Sequence, residues 1–454
     1  MNYVDIVNLV FSIIFGVYAL MMLHFIIFGI IGVFAYKKYP STDIKNRYGI
    51  IIPARNEELV VGNLIESIHK TDYPQDKLHI FVIAHNCTDK TAEVARALAK
   101  EGFAQVSVYE YNNPNECTMG YAFRHLFSRI EEDYGTQSYD GFFIFNADNI
   151  VEKNYFTKMN DAFEYYEHKY VVASFRNSKN FGSNVISGLY GMYFSLGCVC
   201  EFRGRNVCGC STRIAGCGYV ISSKIVENGW PYVTLTEDWE FSADQVLSNN
   251  KIRYCDEAIF YDEQPTSFKV MWRQRVRWSR GHLLVLLSRV GDLIKALFNP
   301  HKKHKMSIWD ILMNCLPFCL VLGFIGILQY ILLAFAPLFG IDFKTVLLGV
   351  GFETNEWWYN ILFNQGVAWG AIRSVGGSYI GMVLLAVIVF IVCRKRIFHV
   401  SFGMKVLISL VWPLFLMLQF PIDFVAMCSK GLGWKVIPHA DATTIHSLDE
   451  KRKN

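Results

Sequence analysis

The chain has 454 residues, of which 52% are hydrophobic, 15% aromatic and only 19% charged. Soluble domains carry about 25% charged residues, so this composition argues against an ordinary soluble enzyme and favours a membrane protein. The formal net charge of +4 is too small to indicate a nucleic-acid partner, and the length allows one catalytic domain with additional elements.

The first predicted element is a membrane helix in residues 4–36. This run is almost uncharged and is longer than the roughly 20 residues that cross the hydrocarbon core of a bilayer. It ends at Lys37 and Lys38, and no small-residue cleavage site follows. We therefore expect residues 1–47 to form a retained N-terminal anchor whose lysines lie in the cytosol.

Residues 48–262 have the composition of a soluble domain and alternate predicted strands with predicted helices. The predicted strands are residues 48–53, 79–84, 106–109 and 142–145. The predicted helices are residues 58–69, 89–100 and 121–130. This alternation predicts an α/β domain with a parallel sheet, in which ligands bind at the carboxyl ends of the strands.

Polar loops follow the first, second and fourth predicted strands. They are residues 53–58, 85–89 and 146–149. Oxygen ligands at a strand end suit a hard divalent cation that bridges phosphates. Helix caps and turns favour the same residue types, so each loop taken alone leaves both interpretations open.

Two later motifs also carry polar residues. Glu237 and Asp238 are adjacent acids, which taken alone are typical of a solvated helix cap. Gln274, Arg277 and Trp278 are more informative, because the spacing i, i+3, i+4 places them on one helix face. Arginine can form a fork with phosphate, and an indole can stack on a sugar ring. The alternative is an interfacial helix with arginines toward lipid head groups, and both interpretations can hold.

Membrane character returns after the soluble domain, in residues 307–338, 377–393 and 404–427. The basic loops at residues 302–305 and 394–396 indicate cytosolic positions. Three crossings would place the C-terminus outside, whereas its basic residues favour the cytosol. A re-entrant last segment, or a further crossing near residues 357–369, would reconcile the two. The remaining chain divides into interfacial helices (263–306), a C-terminal membrane region (307–429) and a polar tail (430–454).

The order of these motifs resembles the membrane-integrated family-two glycosyltransferases, which include cellulose, chitin, hyaluronan and poly-N-acetylglucosamine synthases. The resemblance covers Tyr48 to about His282, and its most specific part pairs residues 236–238 with residues 274–278. It implies a GT-A-like α/β nucleotide-sugar-binding domain in the cytosol. It also implies one N-terminal and about three C-terminal transmembrane helices in a multi-pass protein of the cell membrane.

The resemblance also implies roles for individual residues. Those expected to bind the donor and its diphosphate are Ala54, Asn56, Glu57, His85, Asn146 and Arg277. Those expected to contact the acceptor are Glu237, Gln274 and Trp278. Asp148 would hold a divalent metal, Mg²⁺ or Mn²⁺, and Asp238 would be the catalytic base.

The sequence departs from the family pattern at three places. Asn146 stands where the metal motif usually opens with an aspartate, and the loss of one carboxylate should weaken metal binding. His85 stands where an acid is common. Residues 117–119 lack a lysine that the family often carries there.

These observations predict an inverting transferase that moves a hexose or N-acetylhexosamine from a UDP-linked donor. The acceptor would be a growing polysaccharide or a lipid-linked molecule at the membrane, and membrane lipids are expected partners. A transferase that adds one sugar to a membrane lipid and stops is the main alternative. An inactive scaffold or transport component is a further one, although the retained Asp238 argues against it. Three C-terminal segments are few for a polymer channel, so a homo-oligomer could contribute to one.

Overall fold

The computed structural model describes residues 3–99, 101–340, 367–429, 439, 441 and 443–453. Within these residues an α/β domain is flanked by long apolar helices on both sides along the chain. The predicted combination of a GT-A-like domain with N-terminal and C-terminal membrane helices is therefore confirmed. The proposed extra crossing near residues 357–369 falls mainly on residues 357–366, which lie outside the described residues.

The described residues form a mixed sheet of eight strands at the centre of the domain. In chain order they are β1 (Tyr48–Ala54), β2 (Leu78–His85), β3 (Gln105–Tyr111), β4 (Gly141–Ile144), β5 (Ile150–Val151), β6 (Val171–Ser178), β7 (Tyr219–Ser222) and β8 (Ile252–Asp262). Their spatial order is β3-β2-β1-β4-β7-β6-β8-β5. The four predicted strands are β1 to β4, which pair in parallel, whereas β7 runs antiparallel to both β4 and β6.

Helices cover both faces of this sheet. They are α2 (Val61–His69), α3 (Thr91–Ala97), α4 (Met119–Asp133), α5 (Tyr155–Tyr165), α6 (Val185–Leu196), α7 (Gly204–Val207) and α8 (Glu237–Leu247). All eight residues of β2 are buried, as expected for a parallel strand covered on both faces. Helix α2 begins at Val61 and not at residue 58, because the backbone N–H groups of Val60 and Val61 both bond to the Glu57 carbonyl in a turn.

The apolar helices are α1 (Tyr3–Phe34), α11 (Phe318–Ala334), α12 (Val367–Val392), α13 (Phe402–Met417) and α14 (Gln419–Cys428). The long α9 (Phe268–Phe298) and the short α10 (Lys305–Cys315) precede them, and α15 (Ile445–Lys453) closes the chain. Among the described residues, four helices are long and apolar enough to cross a membrane, or five if the pair α10–α11, bent by 64°, is one span. One of the four, Val185–Val207, is mostly buried inside the protein, so we assign it to the α/β domain.

The anchor helix α1 packs directly on the domain. A side chain at Gly204 would overlap the backbone of Phe28, so glycine is required for this close approach. Beside it, Arg205 forms two hydrogen bonds of 2.7 and 2.9 Å to the carboxylate of Asp310 in α10, and His24 of α1 lies 3.2 Å from the same carboxylate. These contacts join the anchor, the domain and the first C-terminal helix.

The described part of the tail lies against the α/β domain. Arg452 bonds to the Tyr261 hydroxyl at 2.7 Å and also pairs with Glu152. The backbone N–H of Asp441 donates to Glu263 at 3.1 Å. The described part of the tail therefore contacts the strands and loops of the domain directly.

The last apolar segment, α13–α14, is tied to the domain just before its first helix and to α9 near its middle. In the loop before α13, the Arg396 carbonyl accepts a hydrogen bond from Asn177 of β6 at 3.1 Å. At the start of α14, the Gln419 amide donates to Ser279 of α9 at 2.8 Å. Together α13 and α14 form one of the four helices that are long and apolar enough to cross a membrane.

Candidate active site

A cavity of about 220 Å³ lies at the carboxyl ends of β1, β2 and β4, the edge of the sheet where the strand pattern predicts a ligand site. Every predicted site residue except Asn56 lines it. The separate motifs of the sequence therefore meet in one place. Residues of α6, α8, α9 and the tail complete the walls.

Asn56 lies beside the cavity, in the loop after β1. Its backbone is left-handed, with φ at 59°, and its side-chain oxygen accepts a hydrogen bond from the Thr88 N–H at 2.8 Å. Next to it, the Glu57 N–H donates to the Thr91 hydroxyl at 2.8 Å. Asn56 thus ties the loop after β1 to the loop after β2, and it shapes the cavity without lining it.

Glu57 faces the cavity and contacts the C-terminal tail. The His439 Nδ1 lies 2.9 and 3.0 Å from its two carboxylate oxygens. Burial lowers the pKa of His439, but the nearby carboxylates of Asp148, Glu57 and Glu263 outweigh it and raise that pKa to about 9. The imidazole is therefore charged at neutral pH, and the pair is an ion pair.

His85 forms the cavity wall at the end of β2. Its Nε2 lies 2.7 Å from the Glu116 carbonyl oxygen, and its ring stacks on Tyr111 with 5.5 Å between ring centroids. Burial lowers the pKa of His85 below its ordinary value of 6.5. The ring is therefore neutral at pH 7.

Asp148 and Asn146 follow β4. The Asp148 carboxylate accepts hydrogen bonds from the Glu263 N–H at 3.0 Å and from the Asn149 amide at 3.2 Å. The side-chain oxygen of Asn146 is buried and has no hydrogen-bond partner among the residues that the structure describes. A buried oxygen of this kind beside a carboxylate suits a hard cation.

No group of three metal-ligating side chains from histidine, cysteine, aspartate or glutamate occurs in the described ranges. A magnesium-type ion needs only one or two carboxylates when substrate phosphates supply other ligands. Asp148 and the Asn146 oxygen therefore fit a cation that is shared with a diphosphate.

Glu237 and Asp238 open α8 at the opposite wall. Asp238 is half-buried, and its carboxylate accepts a hydrogen bond from the Trp239 N–H at 3.0 Å. Burial raises the pKa of Glu237 and Asp238, and the negative charge of Asp238 raises that of Glu237 further. Both carboxylates line the cavity, and both therefore hold a proton up to a higher pH than an exposed acid does.

Gln274, Arg277 and Trp278 of α9 all line the cavity, in agreement with their predicted common helix face. The Arg277 guanidinium donates to the Leu235 carbonyl at 3.1 Å and so fixes the loop that precedes the acids. Gly281 allows α9 to lie this close, because any side chain there would overlap Thr236. The two motifs of the sequence are thus joined by direct contact.

A second cavity of about 80 Å³ adjoins the first, and both are lined by Trp278 and His282. Its far wall includes Phe415 and Gln419 of the last apolar segment. There the Arg275 guanidinium donates to the Phe415 carbonyl at 2.9 Å and to the Gln419 side chain at 2.8 Å. Arg275 therefore links α9 to the last apolar segment at the wall of this cavity.

The sequence did not identify several residues of the main cavity, among them Arg176, Arg213, His282 and His439. His282 could have been found, because it continues the spacing of four residues from Gln274 through Trp278. Arg176 lies in β6, two residues before its end, and the sequence pattern did not reveal this strand. Arg213 and His439 lie outside any motif, and only the fold brings them to the site.

Comparison with known proteins shows which family this chain resembles. The model described as "Glycosyltransferase like family 2" matches residues 46–281. The probable glycosyltransferase YdaM of Bacillus subtilis (strain 168) is 25% identical over 279 residues, which cover 58% of this chain and 60% of that protein. The beta-monoglucosyldiacylglycerol synthase of Synechocystis sp. (strain ATCC 27184 / PCC 6803 / Kazusa) is 21% identical over 235 residues, covering 51% and 47%. The matches thus span less than two thirds of either relative.

A solved structure has a similar fold. The mannosyltransferase PcManGT from Pyrobaculum calidifontis, in complex with GDP-Man and Mn²⁺, aligns with a TM-score of 0.53 and 14% sequence identity. The alignment covers 82% of this chain and 96% of that chain. At this identity the similarity establishes the fold.

Proposed function

Because the chain belongs to the glycosyltransferase family 2, we propose that it transfers a hexose or N-acetylhexosamine from a UDP-linked donor to an acceptor at the membrane. The observation that carries this proposal is the single cavity in which the donor loops after β1, β2 and β4 face the acids of α8 and the motif of α9. A donor and an acceptor would meet between these two walls.

The donor would occupy the wall formed by Ala54, Glu57, His85 and Asp148. A divalent cation held by Asp148 and the Asn146 oxygen would supply positive charge to the diphosphate when bound. The buried, unpartnered Asn146 oxygen supports this assignment within the described chain. Arg277, which faces the same cavity, would add a second positive charge on the leaving group.

The acceptor would occupy the wall formed by Glu237, Asp238, Gln274 and Trp278. Asp238 would take the proton from the acceptor hydroxyl as its oxygen bonds to the anomeric carbon and the bond to the diphosphate breaks. One base with in-line attack inverts the anomeric centre, and such a base typically contributes about 10²–10⁴-fold in rate. The raised pKa of Asp238 supports this role, because it makes the carboxylate a stronger base.

The position of the second cavity supports an acceptor anchored in the membrane. It begins at Trp278 and ends at Phe415 and Gln419 of the last apolar segment. An acceptor stacked on Trp278 would therefore extend toward the apolar helices, with residues 48–262 on the cytosolic side. A growing polysaccharide or a lipid-linked acceptor would satisfy this arrangement.

One observation favours a transferase that adds a single sugar to a membrane lipid. Arg275 and Gln419, joined by a hydrogen bond of 2.8 Å, border the second cavity, whose volume of about 80 Å³ suits a short acceptor better than a long polymer. The similarity to a beta-monoglucosyldiacylglycerol synthase points the same way. Lipid acceptors therefore form the second candidate substrate class.

The experiment compares membranes that contain the wild-type chain with membranes that contain Asp238→Asn. Each is incubated with a panel of radiolabelled nucleotide sugars, and lipid-linked product is separated from polymer. We expect label from a UDP-linked sugar in one fraction and its loss in Asp238→Asn. Equal labelling by both proteins would contradict the proposal. Label confined to a lipid that carries one added sugar would select the second candidate.

A further inference from the structure

Basic side chains gather at the start of β8, at the opposite end of this strand from the main cavity. β8 ends at Asp262, which lines that cavity, whereas Lys251 and Arg253 flank its first residue. The strand between Arg253 and Asp262 spans about 30 Å when extended. These basic side chains are therefore separate from the candidate active site.

Arg253 is buried, but its hydrogen bonding is incomplete. Only 9% of the residue is exposed, and its Nε has no hydrogen-bond partner among the described residues. One other nitrogen donates to the Cys210 carbonyl at 3.4 Å. The guanidinium lies over the rings of Tyr166 and Tyr170, 5.1 and 5.2 Å from their centroids. A guanidinium has several N–H donors, so most of its capacity remains for a ligand.

Three further basic groups lie close to Arg253. The Lys251 Nζ donates to a backbone carbonyl at 2.7 Å, and the Lys303 N–H donates to the Asn249 side chain at 3.2 Å. Burial and the charges of Lys251 and Arg253 lower the pKa of His304, which shows that these groups face one another. We call Lys251, Arg253, Lys303 and His304 the basic cluster. Within the described ranges, none of the four forms an ion pair with an acid.

The basic cluster lies where apolar helices meet the α/β domain. Lys303 and His304 directly precede α10, the first helix of the bent apolar pair. Lys37, which follows the anchor helix α1, lies 5.0 Å from the centroid of the Tyr166 ring that Arg253 also contacts. The positive surface therefore extends between the ends of two elements that can enter a membrane.

Exposed apolar side chains border the basic cluster. Met306, at the start of α10, is 38% exposed, and Val207, at the end of α7, is 41% exposed. The Ser211 N–H donates to the Ser307 hydroxyl at 2.9 Å, which holds the loop after α7 against α10. A ligand with an anionic group and an apolar chain would match both parts of this surface.

We propose that the basic cluster binds the headgroup phosphate of an anionic phospholipid at the membrane surface. Arginine and lysine are the usual side-chain ligands of phosphate, and basic pockets beside membrane helices attract anionic lipids. The phosphate would supply the negative charge that the described side chains do not. This site does not depend on the proposed function, because it lies at the other end of β8 from the main cavity.

The test titrates the full-length chain in detergent with phosphatidylglycerol or phosphatidylcholine and measures bound lipid by native mass spectrometry. Both lipids contain a phosphodiester, but only phosphatidylglycerol has a net negative charge. We expect phosphatidylglycerol to bind at least about tenfold more tightly, because its charge is not offset by an ammonium group. Equal binding of the two lipids would overturn the proposal.

Variants separate the basic cluster from a general effect of positive charge. The double change Lys251→Met and Arg253→Met should bring the affinity ratio of the two lipids close to one. Arg129→Met with Lys224→Met removes the same charge from α4 and the segment after β7, and should leave the ratio unchanged. Lys303 is exposed, so Lys303→Met leaves the packing intact and should lower the ratio severalfold. A ratio that survives both cluster variants, or that falls equally in the control, would overturn the proposal.

Inorganic phosphate distinguishes a lipid site from a site for a soluble anion. A phospholipid is also held by its apolar chains beside Met306 and Val207, so we expect millimolar inorganic phosphate to leave phosphatidylglycerol bound. Displacement of the lipid by inorganic phosphate would assign the basic cluster to a soluble phosphate and would overturn the lipid assignment.

Discussion

His439 and Glu57 form an ion pair inside the donor wall although 382 residues separate them, with 2.9 and 3.0 Å between Nδ1 and the carboxylate oxygens. Glu57 follows the first strand of the domain, and His439 follows the last apolar segment. The tail therefore acts on the same cavity as the first loop of the domain.

The first prediction concerns this ion pair. His439→Ala should weaken donor binding, because it leaves the Glu57 carboxylate unpaired beside a bound diphosphate. We expect KM for the donor to rise about tenfold, with a smaller change in kcat, as for loss of a charge-assisted hydrogen bond. Steady-state kinetics with varied donor concentration would measure it.

His446 provides the matched control, because it is an exposed histidine of the same tail that pairs only with nearby Glu450 in the described structure. His446→Ala should leave the donor KM unchanged. If both variants behave alike, the tail acts through its general packing and the ion pair has no specific role.

The second prediction concerns the base. Asp238→Asn keeps the shape of the side chain but cannot take a proton, so turnover should fall by at least about 10²-fold. Donor binding should change little, because Asp238 lies on the acceptor wall. Glu237→Gln is the control: if the two acids only cap α8, both changes should reduce stability by up to ~2 kcal/mol and affect turnover alike. If Asp238→Asn transfers sugar at a near wild-type rate, Asp238 is not the base, and Glu237 is the next candidate.

The third prediction concerns pH. Burial raises the pKa of Asp238, so activity should be lost as pH falls through a value above the ordinary aspartate pKa of about 3.9. The positive charge of Arg213 opposes this shift. Arg213→Met should therefore move the acidic limb of the kcat/KM profile to higher pH.

Arg289→Met is the control for the pH profile. Arg289 belongs to α9 and pairs with Glu240 and Asp244 of α8, at 3.4 and 3.1 Å, on the far side of the acid motif. Its loss should leave the acidic limb in place. A limb that does not move in Arg213→Met, or that moves to lower pH, would be inconsistent with Asp238 as the group that titrates.

The fourth prediction concerns metal dependence. Asn146→Asp adds a second carboxylate beside Asp148, so the Mn²⁺ concentration for half-maximal activity should fall by about tenfold. Metal binding can be measured independently of activity by calorimetry in the presence of UDP. Full activity of the wild-type chain in excess chelator would show that Asp148 and Asn146 hold no essential ion.

The fifth prediction concerns the junction between the domain and the apolar helices. Asp310→Ala leaves the buried Arg205 guanidinium with Glu201, 3.3 Å away, as its carboxylate partner and should destabilise the protein by about 3 kcal/mol. Thermal unfolding in detergent would measure the loss. Arg129→Ala removes an exposed ion pair with Glu132 and should cost at most about 1 kcal/mol. Equal effects of the two changes would mean that the Arg205 pair adds nothing to the junction.

Local patterns in the sequence were enough to predict the parallel half of the sheet. Strands β1 and β2 are nearly continuous apolar runs, and polar loops follow them directly. The other half is mixed, with β6 parallel to β8 and with β5 and β7 antiparallel to their neighbours. It was missed because β7 has only four residues and β8 mixes charged with apolar side chains. Their pairing depends on contacts between distant parts of the chain, which no local period reveals.

The residues of the site also fall into two groups, those in local sequence motifs and those brought in by contacts between distant parts of the chain. Asp238, Gln274 and Trp278 belong to contiguous motifs, and the structure brings them to the cavity as predicted. Asn56 was assigned to the donor, yet its left-handed backbone turns its side chain toward Thr88. Arg213 and His439 reach the cavity only through tertiary packing. Residues that are close in the sequence could thus be recognised as motifs. The side chains that surround these motifs in the cavity are determined by contacts between distant parts of the chain.

The contact between the tail and Glu57 has a consequence for biosynthesis. The ribosome completes residues 46–281 long before it reaches His439, so the domain can fold while its donor wall still lacks this side chain. The ion pair between His439 and Glu57 can form only after the apolar helices between them have been synthesised and the tail has reached the domain. A chain that is truncated or wrongly inserted would therefore lack the partner of Glu57 in this cavity.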